Sequence, residues 1–282
     1  MQSPGHRVLL LHPGEMGLAI GTALLQSGHQ VCWVAENRSE VTRARAKNAG
    51  FETVSTLPEA VANVDMVLSV CPPHAAKDQA LAVAEAGYGG LYVDANAVAP
   101  DSVRQIDLIF AKSDTRLTDG GIVGPPPKRA GTTRLYLSGS DAEVVAELFA
   151  GSILEAVPVS KRLGDASAVK TAYAAWTKGT SALLLAIRAF ARSEGIEATL
   201  LAEWTKSQPA LVDRDLSGSI AKAWRFVGEM NEIAKAFSDD GLPPGFHAAA
   251  AELYETLRPL KDKWDVSLDE GLALLGERAD RT

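Results

Sequence analysis

Apolar positions fall into short unbroken runs in the first half of the chain and into helical stripes in the second. Residues 8–11 are wholly apolar, and Met16, Ile20, Ala23 and Leu24 then recur at helical spacing until Gly28, a natural helix stop. The alternation continues with a strand predicted over 31–34, a polar, arginine-rich helix over 39–49, a short strand at 53–54, a helix over 57–62 and a fourth strand over 66–70. Further strands are predicted at 91–94, 117–118 and 134–138, with a helix over 100–111. Apolar strands joined by crossover helices predict a parallel sheet covered on both faces.

After Gly164 the texture changes. Residues 165–193 form one long alanine-rich helical pattern interrupted only by Gly179, and the remainder is helical between proline and glycine punctuation. The pattern therefore predicts an α/β fold: a Rossmann-type doubly wound parallel sheet (1–163), followed by an all-helical C-terminal domain (164–282) that begins with a long inter-domain helix.

Composition narrows the partners. The 282 residues carry a net charge of −7 without a basic stripe, which argues against a nucleic-acid or anionic-membrane partner. Two cysteines, Cys32 and Cys71, make no disulfide framework and predict a reduced, intracellular protein. The N-terminus shows no signal pattern, and no apolar run reaches the ~18 residues of a membrane span, so a cytoplasmic location is expected. His6, His29 and His247 have no metal-ligand spacing, and no metal is expected.

The loop after the first strand, HPGEMG, is a dinucleotide fingerprint with one departure. His12 stands where the first glycine of G-x-G-x-x-G belongs, while Gly14 and Gly17 keep the two later positions. The turn Pro13-Gly14-Glu15-Met16-Gly17 would hold a pyrophosphate through the backbone N–H groups that follow Pro13, at a helix N-terminus; the same residues also suit an ordinary strand-turn-helix. At the end of the second strand the signals conflict. Glu36 favours the free ribose of NAD, whereas Asn37, Arg38 and Ser39 favour the 2′-phosphate of NADP, and NADP is the expected preference.

Together HPGEMG, SGHQV, SVCPPHAA, LYVDANAVAP, DGGIVGPPPKRAGTTRLYLSG and LGDASAVKTAYAAWTKG make the whole chain similar to the β-hydroxyacid dehydrogenases. That family includes 3-hydroxyisobutyrate and 6-phosphogluconate dehydrogenases and the imine reductases; the closest likeness is to a branch with a phosphogluconate-dehydrogenase-like C-terminal domain. The resemblance implies that Ser69, Val70, Cys71, Pro72 and Asn96 line the cofactor cleft, at the carboxyl ends of strands. It implies that Gly121, Ile122, Val123 and Gly124 lie against the substrate, although Val123 and Pro125 replace the usual serine and glycine. Lys170 fits the family's G-x-x-x-x-x-K from Gly164, and the resemblance makes it the group that exchanges a proton with the substrate oxygen. Helical spacing places Tyr173 and Thr177 on the lysine's face; Tyr173 stands where the family usually has asparagine.

The implied protein is a homodimeric NAD(P)-dependent oxidoreductase that interconverts a hydroxyl and a carbonyl on a small polar or anionic substrate. Imine reduction is the alternative within enzymes. From another class, His12 and Val123 leave open a non-catalytic dinucleotide-binding or redox-sensing protein.

Overall fold

The computed structural model describes residues 5–276. The chain divides into two compact units, the first ending at Thr171 and the second beginning at Ala172.

The first unit is built on an eight-stranded sheet in the order β3-β2-β1-β4-β5-β6-β7-β8. Its strands are β1 (Arg7–Leu10), β2 (Gln30–Val34), β3 (Glu52–Val54), β4 (Met66–Ser69), β5 (Leu91–Asp94), β6 (Arg116–Val123), β7 (Arg134–Ser138) and β8 (Glu155–Ser160). Pairing is parallel from β3 through β6, as the crossover helices require. These helices are α1 (Glu15–Gln26), α2 (Glu40–Asn48), α3 (Leu57–Val61), α4 (Ala76–Glu85) and α5 (Pro100–Phe110).

Strand β7 departs from the expected all-parallel arrangement by running antiparallel to β6. The chain reverses between them through residues 124–133 without a helix, and a reversal that short brings a strand back alongside its neighbour in the opposite sense. A further helix, α6 (Ala142–Glu147), carries the chain over to β8, which pairs parallel with β7. Strand β6 also extends five residues beyond the predicted Thr118, through Asp119, Gly120 and Gly121. Those residues read as a turn in isolation.

Alternation along the strands gives the sheet two dry faces. Val8 and Leu10 of β1 join Trp33, Met66, Leu68 and Val93 beneath α1 and α6, whereas Leu9 joins Cys32, Val67 and Tyr92 beneath α3, α4 and α5. Burial on both sides explains why these strands have no polar alternation.

The first unit also contains the start of α7 (Asp165–Ser193), and the boundary between the units falls within this helix. The rest of the second unit is α8 (Glu197–Ser207), α9 (Pro209–Val212), α10 (Ser217–Ala221), α11 (Ala223–Asp239), α12 (Gly245–Thr256) and α13 (Leu268–Gly276). Leu185, Ile220, Met230, Tyr254 and Leu257 form its core. On its outer side α7 exposes Tyr173, Trp176, Leu183 and Phe190, spaced at three, seven and seven residues and so aligned as an apolar stripe with Thr180 between Trp176 and Leu183. No helix among the described residues is long and apolar enough to cross a membrane.

Candidate nucleotide and catalytic site

The strand ends of β1, β2, β4, β5 and β6 all point to the same edge of the sheet, because those strands are parallel neighbours. Ligands of open α/β sheets sit at this carboxyl edge, where the strand order reverses between β1 and β4.

The first βα turn holds two glycines, and packing requires only one of them. A Cβ on Gly17 would lie 2.1 Å from the His12 carbonyl oxygen, so internal packing alone demands glycine there. A Cβ on Gly14 would meet only the His12 ring, at 3.4 Å, an ordinary contact. The fold therefore has no need of glycine at position 14. Gly14 is the N-cap of α1 and makes no side-chain capping bond, and the first-turn amides of a helix have no intrahelical acceptors. The positive end of α1, reached by a turn with no side chain at Gly14, suits a pyrophosphate, and the turn fits a dinucleotide on that ground. Pro13 is buried within the turn, Met16 half-buried and Glu15 exposed.

At the end of β2, Asn37 adopts the left-handed conformation (φ 56°), which asparagine tolerates better than most residues. The bend sends Arg38 back toward β1. Its Nη1 lies 3.1 Å from His12 Nδ1, and its Nη2 donates to the Leu11 carbonyl at 3.2 Å. Ser39 caps α2, accepting from the Thr42 amide at 3.3 Å, and Glu36 is exposed. His12, which the fingerprint marks only as a departure, is tied to the residue expected to read the 2′-phosphate.

At the ends of β4 and β5, Asn96 organises a buried network. Its Oδ1 accepts from the Cys71 amide at 2.6 Å, and its Nδ2 donates to Ser69 Oγ at 3.0 Å and to Asp94 Oδ2 at 2.8 Å. The Asn96 amide donates to Asp94 Oδ1 at 3.1 Å. Ser69, Val70, Cys71 and Asn96 are thus locked to one another, while Pro72 projects to solvent. Burial pushes the Asp94 carboxyl up to about 7 against the pull of the two Asn96 donors, with Asp119 adding to the rise. Burial likewise pushes the Cys71 thiol up to about 11, so it carries little thiolate at neutral pH.

The carboxyl half of β6 positions Lys170. Asp119, fully buried, accepts from Ser138 Oγ (2.9 Å), the Gly164 amide (3.1 Å), the Ser167 amide (2.9 Å) and Ser167 Oγ (2.6 Å). A carboxyl carried by the sheet therefore caps the open N-terminus of α7. Burial raises its pKa, and these four donors oppose the rise. Two residues along β6, a Cβ on Gly121 would lie 2.4 Å from the Ala166 carbonyl oxygen and 3.0 Å from the Lys170 Cβ. The helix and its half-buried lysine thus rest directly on the Gly121 backbone. Ile122 and Val123 are buried, and Gly124 opens the loop in which Thr133 Oγ1 donates to the Pro125 carbonyl at 2.5 Å. Lys128 and Arg129 face solvent, and Arg134 pairs with Glu155 at 3.8 Å.

In the second unit, further along α7, Tyr173 is exposed and its carbonyl accepts from Thr177 Oγ1 at 3.1 Å. The Thr177 carbonyl accepts in turn from Arg214. Asp119 as the anchor of the lysine's helix was not apparent from the sequence. Its signal is a carboxylate in mid-strand, between Leu117-Thr118 and Gly120-Gly121-Ile122-Val123.

A parallel sheet with an open helix N-terminus at its switch point, and a lysine seated beside the next strand ends, defines a dinucleotide-binding oxidoreductase. The family model for the NAD binding domain of 6-phosphogluconate dehydrogenase matches residues 11–158, over half of the chain, and a model described as a domain of unknown function (DUF1932) matches 191–257. The chain belongs to the β-hydroxyacid dehydrogenase family of NAD(P)-dependent oxidoreductases, whose N-terminal domain takes a nicotinamide dinucleotide.

Among its relatives, an uncharacterized 28.5 kDa protein in the 7S RNA 5′ region of Methanothermus fervidus is 28% identical over 76% of this chain and 84% of its own. The solved structure of conserved protein MTH1747, described as similar to 3-hydroxyacid dehydrogenases, is 27% identical with a TM-score of 0.67, covering 90% of this chain and 98% of that one. The 3-hydroxyisobutyrate dehydrogenase of Mycobacterium tuberculosis, solved with L-serine, shares the fold at 17% identity and a TM-score of 0.71, over 96% and 99% of the two chains.

Proposed function

We infer that the protein is an NADP-dependent dehydrogenase acting on a CH–OH group of a small polar or anionic substrate, with Lys170 as the proton-exchanging group. The observation that carries this reading is the seat of Lys170 on the Gly121 backbone, beneath a helix start capped by buried Asp119. When bound, the nicotinamide would accept or return the hydride. The chain's own contribution is a backbone cradle from Gly14 to Gly17 for the pyrophosphate, a locked Ser69–Cys71 loop beside it, and an ammonium or amine held near the substrate oxygen. Removing hydride from a secondary alcohol is easy only if the hydroxyl proton leaves as well, and a lysine beside a cationic nicotinamide can take it.

NADPH formation from NADP in a panel of hydroxyacids is the expected result. Amine-dependent turnover would replace this reading with imine chemistry, and tight cofactor binding with no turnover on any alcohol, oxoacid or amine would replace it with a binding role.

The apolar stripe on α7 supports a homodimer, with a second copy of this chain covering Trp176 and Leu183. Sedimentation should give a dimer for the native protein and a monomer for the Trp176→Glu, Leu183→Glu double variant, since two charges cannot be buried unpaired in an apolar seam. A native monomer at micromolar concentration would refute the dimer.

A further inference from the structure

We propose that His12 is a positioning residue for cofactor selection: through Nδ1 it holds Arg38 in place for the 2′-phosphate of NADP(H). The proposal rests on the reading that Arg38 meets that phosphate, and it assigns a purpose to the one residue that departs from the glycine fingerprint.

The backbone of His12 is fixed from both sides. Its carbonyl accepts from the Gly14 amide at 2.8 Å and lies where any side chain on Gly17 would have to go. The imidazole therefore starts from a rigid point, 3.1 Å from Arg38 Nη1, while Arg38 Nη2 holds the Leu11 carbonyl. A guanidinium has five N–H groups and no acceptor, so at this contact Nδ1 must be the bare nitrogen and the ring proton must sit on Nε2. Burial lowers the His12 pKa, and Arg38 and Arg45 lower it further, which keeps the ring neutral and able to accept.

Arg45 braces the same turn through the Pro13 carbonyl at 3.5 Å. With one N–H of each terminal nitrogen engaged, Arg38 keeps the second on each, and Nε, for an anion. A long side chain loses rotamer freedom when it clamps a phosphate. One already held by its neighbours loses less, and that difference appears only with the ligand that carries the phosphate.

A glycine at position 12 would give the turn its usual freedom but leave Arg38 without its Nδ1 partner. The two terms separate by ligand. NADH reports the turn, and NADPH reports the turn together with the held arginine.

The test is fluorescence titration of NADPH and NADH at pH 8 with the native protein and with Arg38→Ala, His12→Phe, His12→Gly and His12→Asn. Asparagine Oδ1 is the same number of bonds from Cα as histidine Nδ1, so His12→Asn keeps the acceptor and loses the ring, whereas His12→Phe keeps the ring and loses the acceptor. His12→Phe and His12→Gly should weaken NADPH by about five- to tenfold with NADH within about twofold, the loss of one hydrogen bond to a charged group in part regained through water. His12→Asn should hold NADPH within about threefold of the native value. Arg38→Ala should abolish the preference. Equal loss of both cofactors in His12→Phe and His12→Gly, or His12→Asn behaving like His12→Phe, would overturn the role of His12. If Arg38→Ala lowers NADPH affinity while the three His12 variants do not, the inference fails and the reading of Arg38 stands. If Arg38→Ala changes nothing, the reading beneath it fails as well.

Discussion

Replacing Lys170 with methionine should lower kcat by about 10²- to 10⁴-fold, roughly 3 to 5 kcal/mol of barrier, with cofactor affinity unchanged within a few-fold. Methionine keeps most of the length and apolar bulk of the stem that rests over Gly121, so the start of α7 should stay in place. What it lacks is a proton to give or a lone pair to take one. Lys170→Arg should be nearly as poor in the oxidative direction, because a guanidinium does not become neutral near pH 7 and its planar fork does not reproduce the ammonium's position. Steady-state kinetics with the substrate found in the panel, together with NADPH titration, measure both effects. A near-native kcat in Lys170→Met would show that another group handles the proton, and the proposed mechanism would have to be withdrawn.

Gly14→Val should abolish dinucleotide binding, by about 100-fold or more, in a protein that remains folded. On the protein side a Cβ at this position would meet only the His12 ring, at ordinary contact distance. Exchanging a glycine N-cap for valine removes up to about 1 kcal/mol of helix stability, a shift of a few degrees in Tm for a chain of this size. The same substitution at Gly17 should instead unfold the first unit, since its Cβ would collide with the His12 carbonyl oxygen at 2.1 Å. Thermal melts separate the two variants. Unchanged titration by NADPH and NADH in folded Gly14→Val would remove the pyrophosphate from this turn.

Much of the first unit is legible from residue pattern because strands buried on both faces must be continuously apolar. Residues 8–11, 31–34, 66–70 and 91–94 could be read that way, and they match β1, β2, β4 and β5 to within one residue at each end. Strand β6 was only partly legible. Asp119-Gly120-Gly121 has the composition of a turn, and its extended form depends on pairing of all three with β7 and of Asp119 with β5. The site divides in the same way. Lys170 and the glycines carry motif spacing, which is local, so the sequence points to them.

The partners that hold these residues in place are distant in the chain. Asp119 reaches Ser167 across 48 residues, and Arg38 reaches His12 across 26. Nothing in the spacing of either pair announces a contact. His12 read as a plain irregularity in a glycine motif because its partner Arg38 lies one helix and one strand later.

The contacts that fix the backbone around Lys170 come from Gly121, Asp119, Ser138 and Ser167, and all of these precede the division of the chain after Thr171. The seat of Lys170 is structurally a possession of the nucleotide-binding unit, although the residue rides on a helix that continues into the other. The helical unit is then free to diverge. Insertions, altered helix lengths or new side chains beyond Thr171 can then accumulate without removing any of the contacts that seat the lysine.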